Sequence, residues 1–268
     1  MADGGFDRAR FASRLTTRRL GRVLRLRAET ESTNDDAWDA LAAGAGDGLV
    51  VIAEHQTRGR GRDGRAWHDV PGRGLALSVL LHPACDRAAL ATAPLVAGLA
   101  LARGLDALGV DADLKWPNDL VLAGRKLAGI LCESRLRTDG GDAIVVGAGV
   151  NVSQREPEFP PELQGQATSL AIAGHPLDRE SVAAAFLDAL EPLWDEHQEG
   201  DPQAAIAAWH ARARCWGQPV RVRTPGGVIE GEALTLEPDG ALVVRTRDGV
   251  DVRVLAGDVT PGVARGPA

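Results

Sequence analysis

Two residues stand apart in a chain of 268 residues that carries 30 lysines and arginines. They are Lys115 and Lys126, eleven positions apart in "LKWPNDLVLAGRKLAGIL" (Leu114 to Leu131); every other member of that basic set is arginine. The same stretch holds Asn118, one of three asparagines with Asn34 and Asn151. Tyrosine is absent, and alanine and arginine are abundant. Under such a chain-wide bias, the surviving lysines and asparagines concentrate where no substitute serves. Lysine differs most from arginine where a compact point charge must fit a tight space or follow a moving charge. Five residues alone fit chance, so their weight depends on the motifs around them.

"RGRGRDGR" places Arg58, Arg60, Arg62 and Arg65 in eight residues, with Gly59, Gly61 and Gly64 between them. Glycines let backbone approach a ligand closely. N–H groups and guanidinium forks suit phosphate or carboxylate oxygens. The bland alternatives are a solvated basic loop or an RNA-binding tract. Its place between two core strands of an acidic chain favours a site. No Gly-Lys-Ser/Thr follows, so it is not a P-loop. Mutual repulsion among the arginines predicts a lid that a polyanion orders. "ESTN", Glu31 to Asn34, reads as a helix start, where Ser32 and Thr33 offer hydroxyls beside free N–H groups. Asp119 lies near both lysines in sequence. It is a candidate proton acceptor or an ion-pair partner that positions a lysine.

The elements that position these residues follow from pattern. Arg22 to Arg27, Gly48 to Gln56 and Gly74 to Leu81 read as strands. A helix is expected from about Asp35 to Ala43, and a largely apolar, interior one from Arg87 to Leu108. Two strands flank the Ala123-Gly124 turn, and Asp142 to Ser153 is another. Helices from Arg179 to about His197 and Pro202 to about Trp216 close a main domain, residues 1–216. After Gly217, short alternating strands broken by Pro-Gly-Gly, Pro-Asp-Gly and Asp-Gly predict a small β-barrel, residues 217–268.

The net charge of −7 argues against a general nucleic-acid binder. Cys85, Cys132 and Cys215 have no metal-ligand spacing and read as free thiols of a cytoplasmic protein. No apolar run approaches about 18 residues, so no membrane span is expected. No metal site is assigned to the protein itself.

In this order, the blocks resemble the biotin protein ligase family, also called biotin–[acetyl-CoA-carboxylase] ligase. The resemblance runs from about Arg27 to Thr260. It is carried by "ESTN", "EHQTRGRGRDGRAW", "GLALSVLL", "LKWPNDL", "RKLAGIL", "GAGVNV" and "ATSL". The resemblance implies an α+β fold: a central mixed sheet flanked by helices, like class II synthetases, with a C-terminal SH3-like β-barrel. It also implies that biotin and MgATP give biotinyl-5′-AMP, and that biotin then passes to a lysine of a biotin carboxyl carrier domain of an acyl-CoA carboxylase. By that resemblance Ser32, Thr33, Asn34 and Gln56 line the biotin pocket. Gly59, Arg60, Gly61 and Arg62 close over biotin and the adenylate, with Arg65 and Trp67 beside them. Lys126 binds the reacting carboxyl-phosphate. Lys115, Asn118, Asn151 and Ala167 belong to the nucleotide pocket. Lys126, Arg62 and Asp119 are the catalytic candidates.

Two departures stand out. Asp63 occupies a place where the family commonly has a basic residue. About 28 residues, up to Ala28, precede the "ETESTN" block, roughly half of what a winged-helix DNA-binding domain needs, so no sequence-specific DNA binding is expected. Monomer and homodimer both stay open. A lipoate protein ligase is the nearest rival; the polar groups of "ESTN" with Gln56 favour biotin. An RNA-binding module using the Arg/Gly loop is the more distant one.

Overall fold

Runs of Val, Leu and Ile too long for alternation build the inner strands of a sheet, two of which, Val50–Ala53 and Gly74–Leu81, are buried throughout. Its strands are β1 (Leu24–Arg27), β2 (Val50–Ala53), β3 (Gly74–Leu81), β4 (Asp113–Lys115), β5 (Asp119–Leu122), β6 (Arg125–Leu136) and β7 (Asp142–Asn151). The spatial order is β1-β2-β3-β7-β6-β5-β4, and only the β1–β2 pair is parallel. The computed structural model describes residues 5–85, 87–137, 140–199 and 202–262. The β5–β6 turn is made by Ala123 and Gly124, with φ of 50° and 75°. This two-residue, positive-φ geometry matches the strand twist.

Helices cover the two faces unequally. On one face lie α3 (Ala93–Ala107), entered through a 3₁₀ turn at Arg87–Thr92, and α4 (Arg179–Gln198). Between Ala89 and Ala107 the chain reaches the length and mean hydropathy of a membrane span, which a search for unbroken apolar runs passes over. Its window is 72% buried among the core side chains, which accounts for its composition. On the other face α2 (Thr33–Ala42) covers only part of the sheet, packing Ala37, Trp38 and Ala40 against Val51, Leu80, Ala143 and Val145. The uncovered remainder of that face becomes the site.

The N-terminal segment, with α1 (Arg8–Arg14), is strapped to α4 by carboxylates. Glu191, buried, accepts the N–H groups of Arg18, Arg19 and Leu20 at 2.6, 2.8 and 2.9 Å. Arg179 on α4 holds Glu54 at 2.7 Å, and Glu54 also accepts the Phe6 N–H. The strap therefore ends at the residue two before Gln56.

α5 (Pro202–Arg212) leads into a second sheet: β8 (Pro219–Thr224), β9 (Gly227–Leu236), β10 (Leu242–Thr246), β11 (Asp251–Val254) and β12 (Asp258–Pro261). All pairings are antiparallel, in the order β11-β10-β9-β8-β12. The hairpins fall where the Gly turns predict them. The first strand, β8, pairs with the last, β12, an arrangement consistent with the expected SH3-like fold, and among the described residues the ladder stays open between β11 and β12. β11 and β12 have four residues each and remain its edges. The sheet is joined to the first by a hydrogen bond from Trp116 Nε1 to the Gly240 carbonyl, 3.0 Å.

Burial alone would raise the Glu191 carboxyl; its three N–H donors outweigh that and hold it below the ordinary glutamate range. A lowered folded pKa means stability present above the unfolded value, about 4.3, and lost as pH falls through the folded one. Glu191→Ala strands the donors and is expected to cost on the order of 3 kcal/mol at neutral pH. Urea unfolding should show that gap narrowing below about pH 4. A gap unchanged with pH would mean the loss is one of packing.

Candidate active site

The face left open by α2 is nearly free of side chains. Along β7 the residues on that face run Ala143, Val145, Gly147, Gly149, Asn151. Gly149 pairs with Gly129 of β6 and with Ala76 of β3, and Gly147 pairs with Ser78. A Cβ on Gly149 would lie 2.6 Å from the Trp67 ring, and one on Gly147 would lie 2.4 Å from Asn34 Oδ1. These glycines serve close approach: each lets a side chain lie flat on the sheet.

Above this floor is a cavity of about 930 Å³, walled by both sheets. Apart from Gly59, every site residue read from the sequence lines it: Ser32, Thr33, Asn34, Gln56, Arg60, Gly61, Arg62, Arg65, Trp67, Lys115, Asn118, Asp119, Lys126, Asn151 and Ala167. Gly59 lies at the neck of the loop, where its carbonyl accepts the Trp67 N–H at 2.8 Å.

One end of the cavity is a polar relay at the start of α2. Ser32 is the N-cap residue, but its side chain makes no capping bond. Gln56 caps instead: its Oε1 accepts the Thr33 N–H at 2.8 Å and the Thr33 hydroxyl at 3.0 Å. The Ser78 hydroxyl lies 2.7 Å from Thr33 Oγ1 and 2.6 Å from Asn34 Oδ1. Asn34 Nδ2 donates to Glu133 Oε2 at 2.8 Å. Asp69 accepts the Gln56 N–H at 2.6 Å, and burial raises its carboxyl above the ordinary range. This end presents donors and acceptors held in place by their neighbours.

The middle is a chain of alternating charges. Lys126 Nζ donates to Asp119 Oδ1 at 2.7 Å and lies 5.7 Å from the centre of the Trp67 ring. Asp119 Oδ2 is 3.9 Å from Lys115 Nζ. Lys115 is 3.8 Å from Asp258 of β12, whose other oxygen accepts from Arg65 at 3.0 Å. Both lysines of the chain therefore stand in the cavity, linked through Asp119. Arg62 is the cation left over: its Nη1 is enclosed and finds no hydrogen-bond partner among the described residues. A buried donor of this kind calls for an anion.

The loop is a folded hairpin. Gly61 N–H donates to the Arg65 carbonyl at 2.7 Å, and Arg60 bridges Ala66. At its tip Asp63 has φ of 56°, a left-handed conformation that aspartate tolerates better than most residues. The repulsion expected among the four arginines is offset, because Arg58, Arg60 and Arg65 meet Glu31, Asp35 and Asp258.

Asn118 and Asn151 are held by the protein. Asn118 Nδ2 donates to the Ile130 carbonyl at 2.6 Å and fixes the Trp-Pro-Asn turn on β6. Asn151 Oδ1 accepts from Gln154 at 3.1 Å. Ala167 bridges Lys126, whose N–H donates to the Gln166 carbonyl at 2.8 Å and whose carbonyl accepts the Thr168 N–H at 2.8 Å. Ser78, Glu133, Asp258 and the glycine floor were not singled out from sequence. Only the glycines left a signal, as Gly at alternate positions of an apolar strand. Cys215 also lines the cavity, but burial pushes its thiol up to about 11, so it is no thiolate nucleophile at neutral pH. Among the described residues no three His, Cys, Asp or Glu side chains converge on a metal site.

Comparison with known proteins gives the family. Residues 27–151 match the biotin/lipoate A/B protein ligase family, and residues 216–260 match the biotin protein ligase C-terminal domain. Fold and site define the class: the protein is a ligase enzyme. The biotin–[acetyl-CoA-carboxylase] ligase of Mycobacterium tuberculosis is 38% identical over 246 residues, covering 89% of this chain and 88% of its own. The bifunctional ligase/repressor BirA of Bacillus subtilis is 32% identical over 250 residues, covering 92% and 77%. Among solved structures, the biotin protein ligase from Aquifex aeolicus in complex with biotin and ATP superposes with a TM-score of 0.76 at 29% identity, covering 89% of this chain and 98% of its own. The chain belongs to the biotin protein ligase family.

The glycine floor makes a direct prediction. Gly149→Ala should lift the Trp67 ring by roughly 1 Å to reach ordinary contact distance. Near-ultraviolet circular dichroism should lose tryptophan signal, and the change should vanish in a Trp67→Phe background. An equal change in that background would place the perturbation elsewhere.

Proposed function

We propose that the protein joins biotin to ATP as biotinyl-5′-AMP and transfers the biotin to one lysine of the biotin carboxyl carrier domain of an acyl-CoA carboxylase. One observation carries this reading. A single cavity holds a hydrogen-bonding end at Thr33, Asn34, Gln56 and Ser78 and a cationic middle at Arg62, Lys115 and Lys126. That order suits a molecule with a ureido ring at one end and a carboxylate at the other, meeting a nucleotide. Lipoate has no ureido ring to use the polar relay. An RNA tract would not spend three arginines on the protein's own carboxylates. The relatives point the same way: the Aquifex aeolicus protein was solved with biotin and ATP.

In the first step a biotin carboxylate oxygen bonds to the α-phosphorus of ATP as the bond to pyrophosphate breaks. Two anions must meet, and charge builds on the phosphorus oxygens. Lys126 exchanges Asp119 for the carboxyl-phosphate oxygens, and the unpartnered Nη1 of Arg62 donates to the same group. Lys115 and Arg65 serve the polyphosphate, and Asn118, Asn151 and Ala167 shape the wall beside the nucleotide. Magnesium belongs to the nucleotide, as MgATP. In the second step the acceptor amine attacks the acyl carbon and AMP leaves. The amine has a reference pKa of about 10.4 and must lose its proton. The reading gives that proton to Asp119, released from Lys126; positioning the lysine is the other role its ion pair supports. The reading also assigns catalysis to residues 1–216 and a wall of the cavity to residues 217–268, and places the protein, whose three cysteines form no disulfide, in the cytoplasm.

The protein mixed with MgATP and either biotin or lipoate should yield biotinyl-5′-AMP by mass spectrometry and no lipoyl adenylate; the reverse would install the rival substrate. Lys126→Ala is expected to lower adenylate formation about a hundredfold with the fold retained. Lys126→Arg should also be poor, because a guanidinium does not fit a point-charge site. Near-normal formation by both variants would remove Lys126 from the chemistry.

A further inference from the structure

We propose that Arg60 is a latch. Its guanidinium ties the Thr57–Arg73 loop to α2 and β6 through Asp35 and Glu133, and these two carboxylates set how long the loop stays closed over the activated intermediate. The inference rests on the ligase reading for the intermediate, and on geometry alone for the latch.

The four arginines between positions 58 and 65 are in different electrostatic states. Arg58 meets Glu31 with both side chains largely in solvent, an arrangement that contributes little. Arg65 reaches across to Asp258. Arg62 keeps an enclosed, unpartnered nitrogen. Arg60 alone makes a two-pronged pair: Nη1 and Nη2 donate to the two oxygens of Asp35 at 2.6 and 2.7 Å. Fork-on-fork pairing fixes direction as well as distance. Glu133 Oε1 stands 3.9 Å from Arg60 Nη2. The hydrogen bond with Arg60 lowers the Asp35 carboxyl and raises the guanidinium, so both stay charged across the neutral range.

The receiving side is built before the arginine arrives. Asp35 stands in the first turn of α2, where the helix dipole favours an anion. Glu133 is held by α2 itself, its Oε2 accepting from Asn34 Nδ2 at 2.8 Å and from Trp38 Nε1 at 3.4 Å. The donating side is equally defined. Arg60 forms the β-bridge to Ala66 at the neck of the hairpin, next to the Trp67 N–H bond to Gly59. Holding the Arg60 side chain therefore holds the strand that lays Trp67 on the glycine floor. The charges of the loop divide the work. Arg60 is spent on closing the lid, and Arg62 is left for the anion beneath it. Asp35 and Glu133 act through Arg60 and are positioning residues.

Biotinyl-5′-AMP is a mixed anhydride that water destroys, so the time it spends under a closed lid matters. A partly exposed ion pair of this geometry should change a rate by about threefold to fivefold. The test loads wild type, Asp35→Asn, Glu133→Gln, Arg60→Ala and the Asp35→Asn/Arg60→Ala double variant with biotin and MgATP. Free ligand is then removed, and release of biotinyl-5′-AMP is followed by mass spectrometry. Asp35→Asn and Glu133→Gln should each release it about threefold to fivefold faster, and the gap should shrink at high salt. In the Arg60→Ala background Asp35→Asn should add nothing, because the two residues act as one unit. Release at the wild-type rate from Asp35→Asn, or an undiminished effect in that background, overturns the latch. A wild type that forms no biotinyl-5′-AMP would refute the ligase reading instead. The latch is then decided without ligand: the Gly61 and Trp67 amides should exchange hydrogen about threefold faster in Asp35→Asn, and equal exchange rejects it.

Discussion

The site depends on a steric constraint before any charge is considered: a sheet face must present no side chain where two others have to lie flat. Gly147 gives Asn34 its seat, and Gly149 opposite Gly129 gives Trp67 its own. Once Asn34 is seated, the start of α2 is fixed, and with it Thr33, Gln56 and Ser78. Once Trp67 is seated, the loop is fixed, and with it Arg60, Arg62 and Arg65. A strand interior normally loses stability by having glycine in it. Here β7 lies between β3 and β6 at the centre of the sheet, where long ladders on both sides hold it regardless.

The electrostatics follow from that seating. A chain with net charge −7 supplies carboxylates from α2, β5, β6 and β12 to most of the cations its loop and lysines present. The pairs of Lys115, Lys126 and Arg65 are of a kind that phosphate or carboxylate oxygens can replace, since they offer a cation the same contact, whereas the Arg60 pair ties the loop to α2. The second sheet takes part because Asp258 meets both Arg65 of the loop and Lys115 of the first sheet.

Much of this was legible in sequence, for particular physical reasons. The strand from Gly74 to Leu81 and the turn at Ala123-Gly124 depend on local pattern, and they stand where pattern puts them. The interior helix was legible from its missing polar face, although its first turns are 3₁₀. "ESTN" correctly marked the start of α2, but the capping group comes from Gln56, which a rule about neighbouring residues cannot see. The loop arginines were visible as charge, while the carboxylates that offset them lie 25 or more positions away. Glu133 sits in a strand of mixed character, and nothing local ties it to Asn34. The hairpins after Gly217 stand where the turn signals put them, while the pairing of the first strand of that sheet, β8, with its last, β12, is a long-range contact that no turn signal reports.

The confinement of both lysines to one cavity bears on self-damage. Under the proposed function the enzyme would carry an acylating anhydride, and a surface of lysine amines would be the first target of that reagent. This surface carries its positive charge as arginine, whose guanidinium stays protonated and is a poor nucleophile. The two lysine amines that line the cavity each stand against a carboxylate. For the same reason an amine-directed label added in the laboratory has, besides the chain's own α-amine, only these two addresses, and its attachment reports on how open the cavity is.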